Sequence, residues 1–95
     1  MLRGYSDSAK LRTIDDLKQS IEVQMEIEFY LGNHRYLLEP IYGKNGVDAV
    51  AWHMSWDRGA KEKRIDATVP DEVLNITING IPLKKQWKKM DMINY

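Results

Sequence analysis

The chain carries two histidines, His34 and His53, and any proton transfer or imidazole–metal chemistry near neutral pH starts with them. Neither stands in a ligand spacing such as His-Glu-x-x-His or His-x-His, and His34 follows a tight turn, where an exposed polar residue is ordinary. Glu26, Glu28 and Glu39 form a second group. If the first two lie on one strand and Glu39 on its neighbour, their carboxylates gather on one side of a hairpin, with Glu26 facing Glu39. A hard cation takes roughly six to eight oxygens, more than this spacing supplies, so screening by Arg35, a lysine or water is the simpler reading. The serines and threonines lack a Gly-x-Ser-x-Gly or Ser-x-x-Lys context, so nucleophilic catalysis has no candidate. Gly43 and Gly46 are followed by neither a helix nor a Lys-Ser/Thr pair, so they read as a hairpin loop rather than a phosphate cradle. The residue types therefore predict no catalytic residue, no metal ligand and no cofactor. An enzyme or metal protein built on His34, His53 and the hairpin carboxylates is the third reading.

One cluster answers to a different chemistry. Lys84, Lys85, Lys88 and Lys89 surround Trp87, the pattern of a basic patch that contacts phosphates while an aromatic stacks on a base. The opposing reading is structural: Leu83, Trp87 and Met90 fall at i, i+4 and i+7, the buried stripe of an amphipathic helix whose far face the lysines solvate. Nucleic-acid binding through that patch is the second functional reading. The segment from Thr13 to Leu31 holds five acids and one base, so acidic and basic regions balance within one chain or across a dimer.

Fourteen basic and fourteen acidic residues give a formal charge of zero, which removes the general attraction expected of a dedicated nucleic-acid or membrane-surface binder. Ninety-five residues make one domain, and 43% hydrophobic residues, with three Trp and five Tyr, predict a packed core. The sequence has no cysteine, so disulfides and thiolate sites are out and a reducing compartment fits. No apolar run is long enough to span a bilayer, and Met1 to Arg12 lacks the apolar middle of a signal peptide. The expected location is the cytoplasm. Residues 1–12 read as a flexible leader, with Leu2, Tyr5 and Leu11 able to pack onto a single domain over residues 13–95.

The elements that must position these residues are legible from periodicity. Thr13-Ile14-Asp15-Asp16 resembles a capping box, and Ile14, Leu17 and Ile21 give a helix stripe ending near Glu22. Met25, Ile27, Phe29 and Leu31 alternate with polar or exposed types, and Gly32-Asn33 suits a two-residue II′ turn. The hairpin register then sets Phe29 opposite Tyr36, Ile27 opposite Leu38 and Tyr30 opposite Arg35, with Glu28 diagonal to Arg35. Pro40, late in the second strand, requires an edge, a bulge or a strand end. A third strand is expected over Val47 to Trp56, with Val50, Trp52, Met54 and Trp56 on one face and Ala49, Ala51, His53 and Ser55 on the other. Lys63, Ile65, Ala67 and Val69 form a fourth, edge strand. A short helix starts near Pro70, Asn79-Gly80 is a turn, and Pro82 opens a longer final helix.

The run from Thr13 to Pro40, with its Glu26-Ile27-Glu28-Phe29 strand, Gly32 and Tyr36, and the later run from Asp71 to Trp87, with Ile78-Asn79-Gly80, Leu83 and Trp87, resemble a group of small bacterial proteins of unknown function, often from mobile-element or prophage-type gene neighbourhoods. The resemblance implies an α+β fold and supplies no activity, cofactor or functional residue. The expected fold class is α+β: an N-terminal helix, an antiparallel meander of three to four strands, then a short helix and a longer C-terminal helix packed on the sheet. The first functional reading is a non-enzymatic interaction module that binds an unidentified protein and acts as a homodimer. Its expected surface is Trp52, Trp56 and Met54, because Trp and Met are enriched where surfaces meet and the sheet offers more apolar area than two short helices cover.

Overall fold

A computed structural model describes residues 10–95 of the chain. The order of elements is α1 (Ile14–Glu22), β1 (Ile27–Leu31), β2 (His34–Tyr42), β3 (Ala49–Trp56), β4 (Lys61–Ile65), α2 (Pro70–Val73), β5 (Thr77–Ile78), β6 (Ile81–Pro82), α3 (Leu83–Gln86), a 3-10 turn (Trp87–Lys89) and β7 (Asp91–Asn94). The fold is α+β. Strands β4-β3-β2-β1-β7 make one antiparallel sheet in that spatial order, and β5 and β6 form a separate small hairpin.

The hairpin register is the one the Gly32-Asn33 turn implies: Phe29 pairs with Tyr36, Ile27 with Leu38 and Tyr30 with Arg35. Gly32 takes φ +63°, the positive value a II′ turn needs at its first central residue. Ile27, Phe29, Tyr36 and Leu38 are all buried. They line the inner face of the sheet with Trp52 and Met54, beneath Leu17 and Ile21 of α1, Val73 of α2, Ile78 of β5, Leu83 of α3, and Leu74, Ile76 and Met90 from the segments between elements. Pro40 pairs with Trp52 on one side, while the β1 ladder stops at Leu38; one flank of the strand is open where the missing N–H falls.

The end of α1 is a Schellman arrangement: Met25 N donates to Ser20 O at 2.9 Å and Gln24 N to Ile21 O at 3.0 Å. Gln24 occupies the left-handed position at φ 58°, where glycine is usual. Its side chain compensates, donating from Nε2 to Val47 O at 3.0 Å and accepting from Ala49 N through Oε1. Those bonds tie the helix exit to the β2–β3 loop. Thr13 is extended, as an N-cap should be, but its side chain makes no capping bond.

Several expectations are corrected. The longer C-terminal helix is replaced by the four-residue α3, the 3-10 turn and the strand β7. Met90 is extended (φ −76°, ψ 132°), and Met92 follows it to sit opposite Phe29. A strand there satisfies the backbone groups of β1 that would otherwise form a bare edge, and the eight residues of helical spacing from Leu83 to Met90 do not outweigh that ladder. The sheet accordingly has five strands rather than three or four. The fourth strand stops at Ile65, and Val69 becomes the extended residue before Pro70 that starts α2. The third strand begins at Ala49 and carries a bulge: Ile41 pairs with Ala51 but Tyr42 with Ala49, leaving Val50 inserted. The inserted residue breaks the alternation, so Val50 is exposed instead of sharing the buried face of Trp52, and Ala49 lines a depression together with Trp52 rather than with Ala51. Of the expected leader, residues 1–9 lie outside the described residues, and Leu11 is buried in the core.

Candidate functional site

Trp52 and Met54 have no exposed surface; they are the floor of the core, where the helices lie on them. Of the three residues expected to form an interaction surface, only Trp56 keeps any, half-buried at the end of β3 with its ring 5.5 Å from that of Tyr36. Lys84, Lys85, Lys88 and Lys89 are all exposed, on α3 and the 3-10 turn. Lys88 Nζ lies 5.7 Å from the centre of the half-buried Trp87 ring, within cation–π range.

The two histidines are not brought together; each is bound to its own acid. His34 Nδ1 is 3.0 Å from Asp57 Oδ1, joining the start of β2 to the β3–β4 loop. His53 Nε2 is 2.7 Å from Glu62 Oε1, across the β3–β4 pair. Glu28 accepts from Arg35 at 2.5 Å, the diagonal partnership the register implies. Glu39 pairs across the ladder with His53, and Glu26 is exposed just ahead of β1. The carboxylates are thus spread along the sheet, and among the described residues no group of three or more His, Cys, Asp or Glu side chains is placed to hold a metal ion.

Two surfaces remain that the described residues build and do not cover. The first is the outer face of the sheet. The core cluster draws its sheet residues from the inner face alone, so the helices and the small hairpin occupy one side. On the other side Leu37 and Ile41 are half-buried, Tyr30 and Val50 are 44% and 53% exposed, and Ala51 is hidden among its neighbours. Charged side chains run between them: Glu28 and Arg35, Glu39, the His53–Glu62 pair, and Arg64, which donates to Asp66 at 2.6 Å. Glu39 has no ion pair among the described residues although it is half-buried.

The second surface is the turn end of the same sheet, where β1–β2 and β3–β4 bring their loops together. Asp57 and Arg58 have φ of 53° and 58°, and Gly59 follows at 85°. The loop is closed by Gly59 N donating to Trp56 O and Ala60 N to Asp57 O, both at 3.1 Å. His34, hydrogen-bonded to Asp57, holds that carboxyl below the usual range, and Lys61, 3.6 Å from its other oxygen, adds to the effect. Burial, and secondarily the Asp57 charge, push the Tyr36 phenol up. A depression of about 590 Å³ opens beside this loop on the outer face, lined by Glu28, Tyr30, Arg35, Leu37, Ser55 and Arg58 among others. On the opposite, inner face Phe29 stacks on Tyr36 with ring centres 5.3 Å apart, and Trp56 packs against the same cluster.

Sequence reasoning missed this end of the sheet because Asp57 and Arg58 sit in a loop with no motif, and their link to His34 depends on how two turns stack. The one available signal was the strand register, which sets Trp56 opposite Tyr36 and so brings the two loops side by side. In comparisons with protein-family models, curated proteins and solved structures, the chain finds no match.

Proposed function

We propose that the protein is a non-enzymatic interaction module of the cytoplasm that works as a homodimer, joined through the outer face of its sheet. The observation that carries this reading is the apolar row of Leu37, Ile41, Tyr30 and Val50 on a five-stranded sheet whose helices, among the described residues, lie on the other side. A second copy suits this face because its charges are mixed in sign: Glu28, Glu39 and Glu62 alternate with Arg35 and Arg64, so a twofold arrangement can set acids against bases. A net charge of zero leaves no overall repulsion between copies. Self-association also suits a chain of this length, which buries a smaller share of its surface than a larger domain.

The reading is tested by Leu37→Lys and Ile41→Lys, made separately and together and followed by light scattering after size exclusion. Neither side chain belongs to the core cluster, so folding should survive while dimers are lost. A wild type that elutes as a dimer and a double variant that does the same would overturn the assignment of the face. A second reading, nucleic-acid binding by Lys84, Lys85, Lys88 and Lys89, is favoured by the placement of Lys88 over Trp87. Its signature is binding that weakens steeply with salt.

A further inference from the structure

Two of the chain's asparagines precede a glycine, in Asn45-Gly46 and Asn79-Gly80, and that pairing carries a chemistry of its own. The glycine nitrogen can attack the carbonyl carbon of the asparagine side chain, because no β-carbon on the glycine shields the approach. The fold treats the two sites differently, although the residues of both are exposed. Asn45 is locked: its Oδ1 accepts from Val47 N at 2.9 Å and from Asp48 N at 3.1 Å, and its Nδ2 donates to Asp48 Oδ2 at 3.0 Å. The atom that would attack it, Gly46 N, donates to Gly43 O at 3.0 Å. At the tip of the β5–β6 hairpin, neither the Asn79 side-chain amide nor the Gly80 N–H has a hydrogen-bond partner among the described residues. Asn79 and Gly80 take φ of 55° and 78°, the left-handed pair of a two-residue hairpin turn, so the turn accounts for their identity and leaves both groups open. Gln86 Nε2 holds Ile78 O at 3.1 Å and Ile81 O at 2.8 Å, on the flanks of the turn rather than on it. With only two residues in each strand, the hairpin has little ladder to resist a local opening of its tip.

We propose that Asn79 is a site of spontaneous deamidation, while the fold protects Asn45. Gly80 N forms a bond to Asn79 Cγ as its proton leaves, ammonia departs from Cγ, and a succinimide ring remains. Water then adds to either ring carbonyl and breaks its bond to the ring nitrogen, giving an aspartyl or an isoaspartyl residue; overall, water is consumed and ammonia released. The new carboxylate stands at a hollow of about 180 Å³ that Asn79 lines together with Lys61 and Lys63, and that has no acid in its lining. Lys63 is half-buried there, its ammonium held by two neutral oxygens of Thr77, the carbonyl at 2.6 Å and the hydroxyl at 3.2 Å. The aspartyl form supplies an acid beside a cation that has none among the described residues.

The wild-type chain, incubated at mildly alkaline pH both folded and unfolded in guanidinium chloride, tests this. Trypsin releases Asn45 and Asn79 on separate peptides, cutting after Lys44, Arg58, Arg64 and Lys84, and mass spectrometry follows the change from amide to acid, with fragment ions separating Asn79 from Asn75. In the folded chain Asn79 should convert about tenfold or more faster than Asn45, since four hydrogen bonds must be given up at Asn45-Gly46 and none at Asn79-Gly80. Unfolding should abolish that difference. Conversion at Asn79 should yield two separable products of equal mass, the mark of a ring opened in both directions. Asn79→Asp should keep or raise the urea midpoint at neutral pH, and a lower midpoint would overturn the pairing with Lys63. The deamidation site itself is overturned if Asn45 converts as fast as Asn79 in the folded chain, if Asn79 converts only when unfolded, or if a single product forms.

Discussion

Truncating Phe29 to alanine probes the joint on which both faces of the sheet depend. Its side chain has no exposed surface, stacks on Tyr36 at an interplanar angle of 15°, and is flanked across the ladder by Met92 of β7. Removing a fully buried Phe loses its transfer free energy and leaves a cavity, about 3 to 5 kcal/mol together. Part of that loss, on the order of 1 kcal/mol, is the ring pair itself. A domain of 95 residues has about 5 to 14 kcal/mol in hand, so Phe29→Ala should fold only marginally. Phe29→Leu keeps most of the volume and should lose about 1 to 2 kcal/mol, giving a variant that can be measured whatever alanine does. Urea unfolding followed by tryptophan fluorescence and far-UV circular dichroism gives both values. A loss below about 1 kcal/mol for Phe29→Ala would show that Phe29 does not face the core and that the hairpin register is wrong.

Gln24→Ala removes two side-chain hydrogen bonds and keeps a β-carbon at positive φ, so it should destabilise by about 1 to 3 kcal/mol. Gln24→Gly loses the same bonds but relieves the backbone, and its urea midpoint should correspond to about 1 kcal/mol more stability than the alanine variant; equal midpoints would contradict the strain. Asp57 and Asp71 are both held below the usual carboxylate range, by His34 and Lys18 respectively. A depressed folded-state value stabilises the protein above the ordinary carboxylate pKa and is lost as pH falls through the folded value, so stability should drop on acidification and drop less in the Asp57→Asn, Asp71→Asn double variant. Denaturant midpoints at neutral and acid pH measure this, and identical pH profiles would contradict it. Substituting Lys84, Lys85, Lys88 and Lys89 with Gln should leave the melting temperature nearly unchanged, since all four are exposed. If it abolishes salt-sensitive nucleic-acid binding in a gel shift, the second functional reading displaces the first.

What could be read from the sequence was local. The register of β1 and β2, the bounds of α1, the Pro70 helix start and the Asn79-Gly80 turn all follow from spacing and turn chemistry, and each is present. What could not be read depended on partners distant in sequence. The strand at Asp91–Asn94 exists because β1 offers it an edge, and nothing in the four residues themselves announces that offer. The bulge at Val50 inverts the faces of Ala49 and Val50 through a single insertion that alternation cannot detect. Trp52 and Met54 looked like surplus apolar area because the segment from Leu74 to Ile78, which covers them with Leu83 and Met90, carries no clear helical or strand period. The turn end of the sheet shows the same limit, because His34 and Asp57 are 23 residues apart and meet only when two turns stack.

Sedimentation equilibrium of the wild-type chain, from low micromolar to near-millimolar concentration, tests the proposed dimer most directly. The outer-face assignment predicts a mass rising to twice 11.1 kDa within that range, and returning to 11.1 kDa when Leu37 and Ile41 are both replaced by lysine. A wild-type mass that stays at 11.1 kDa throughout would contradict it.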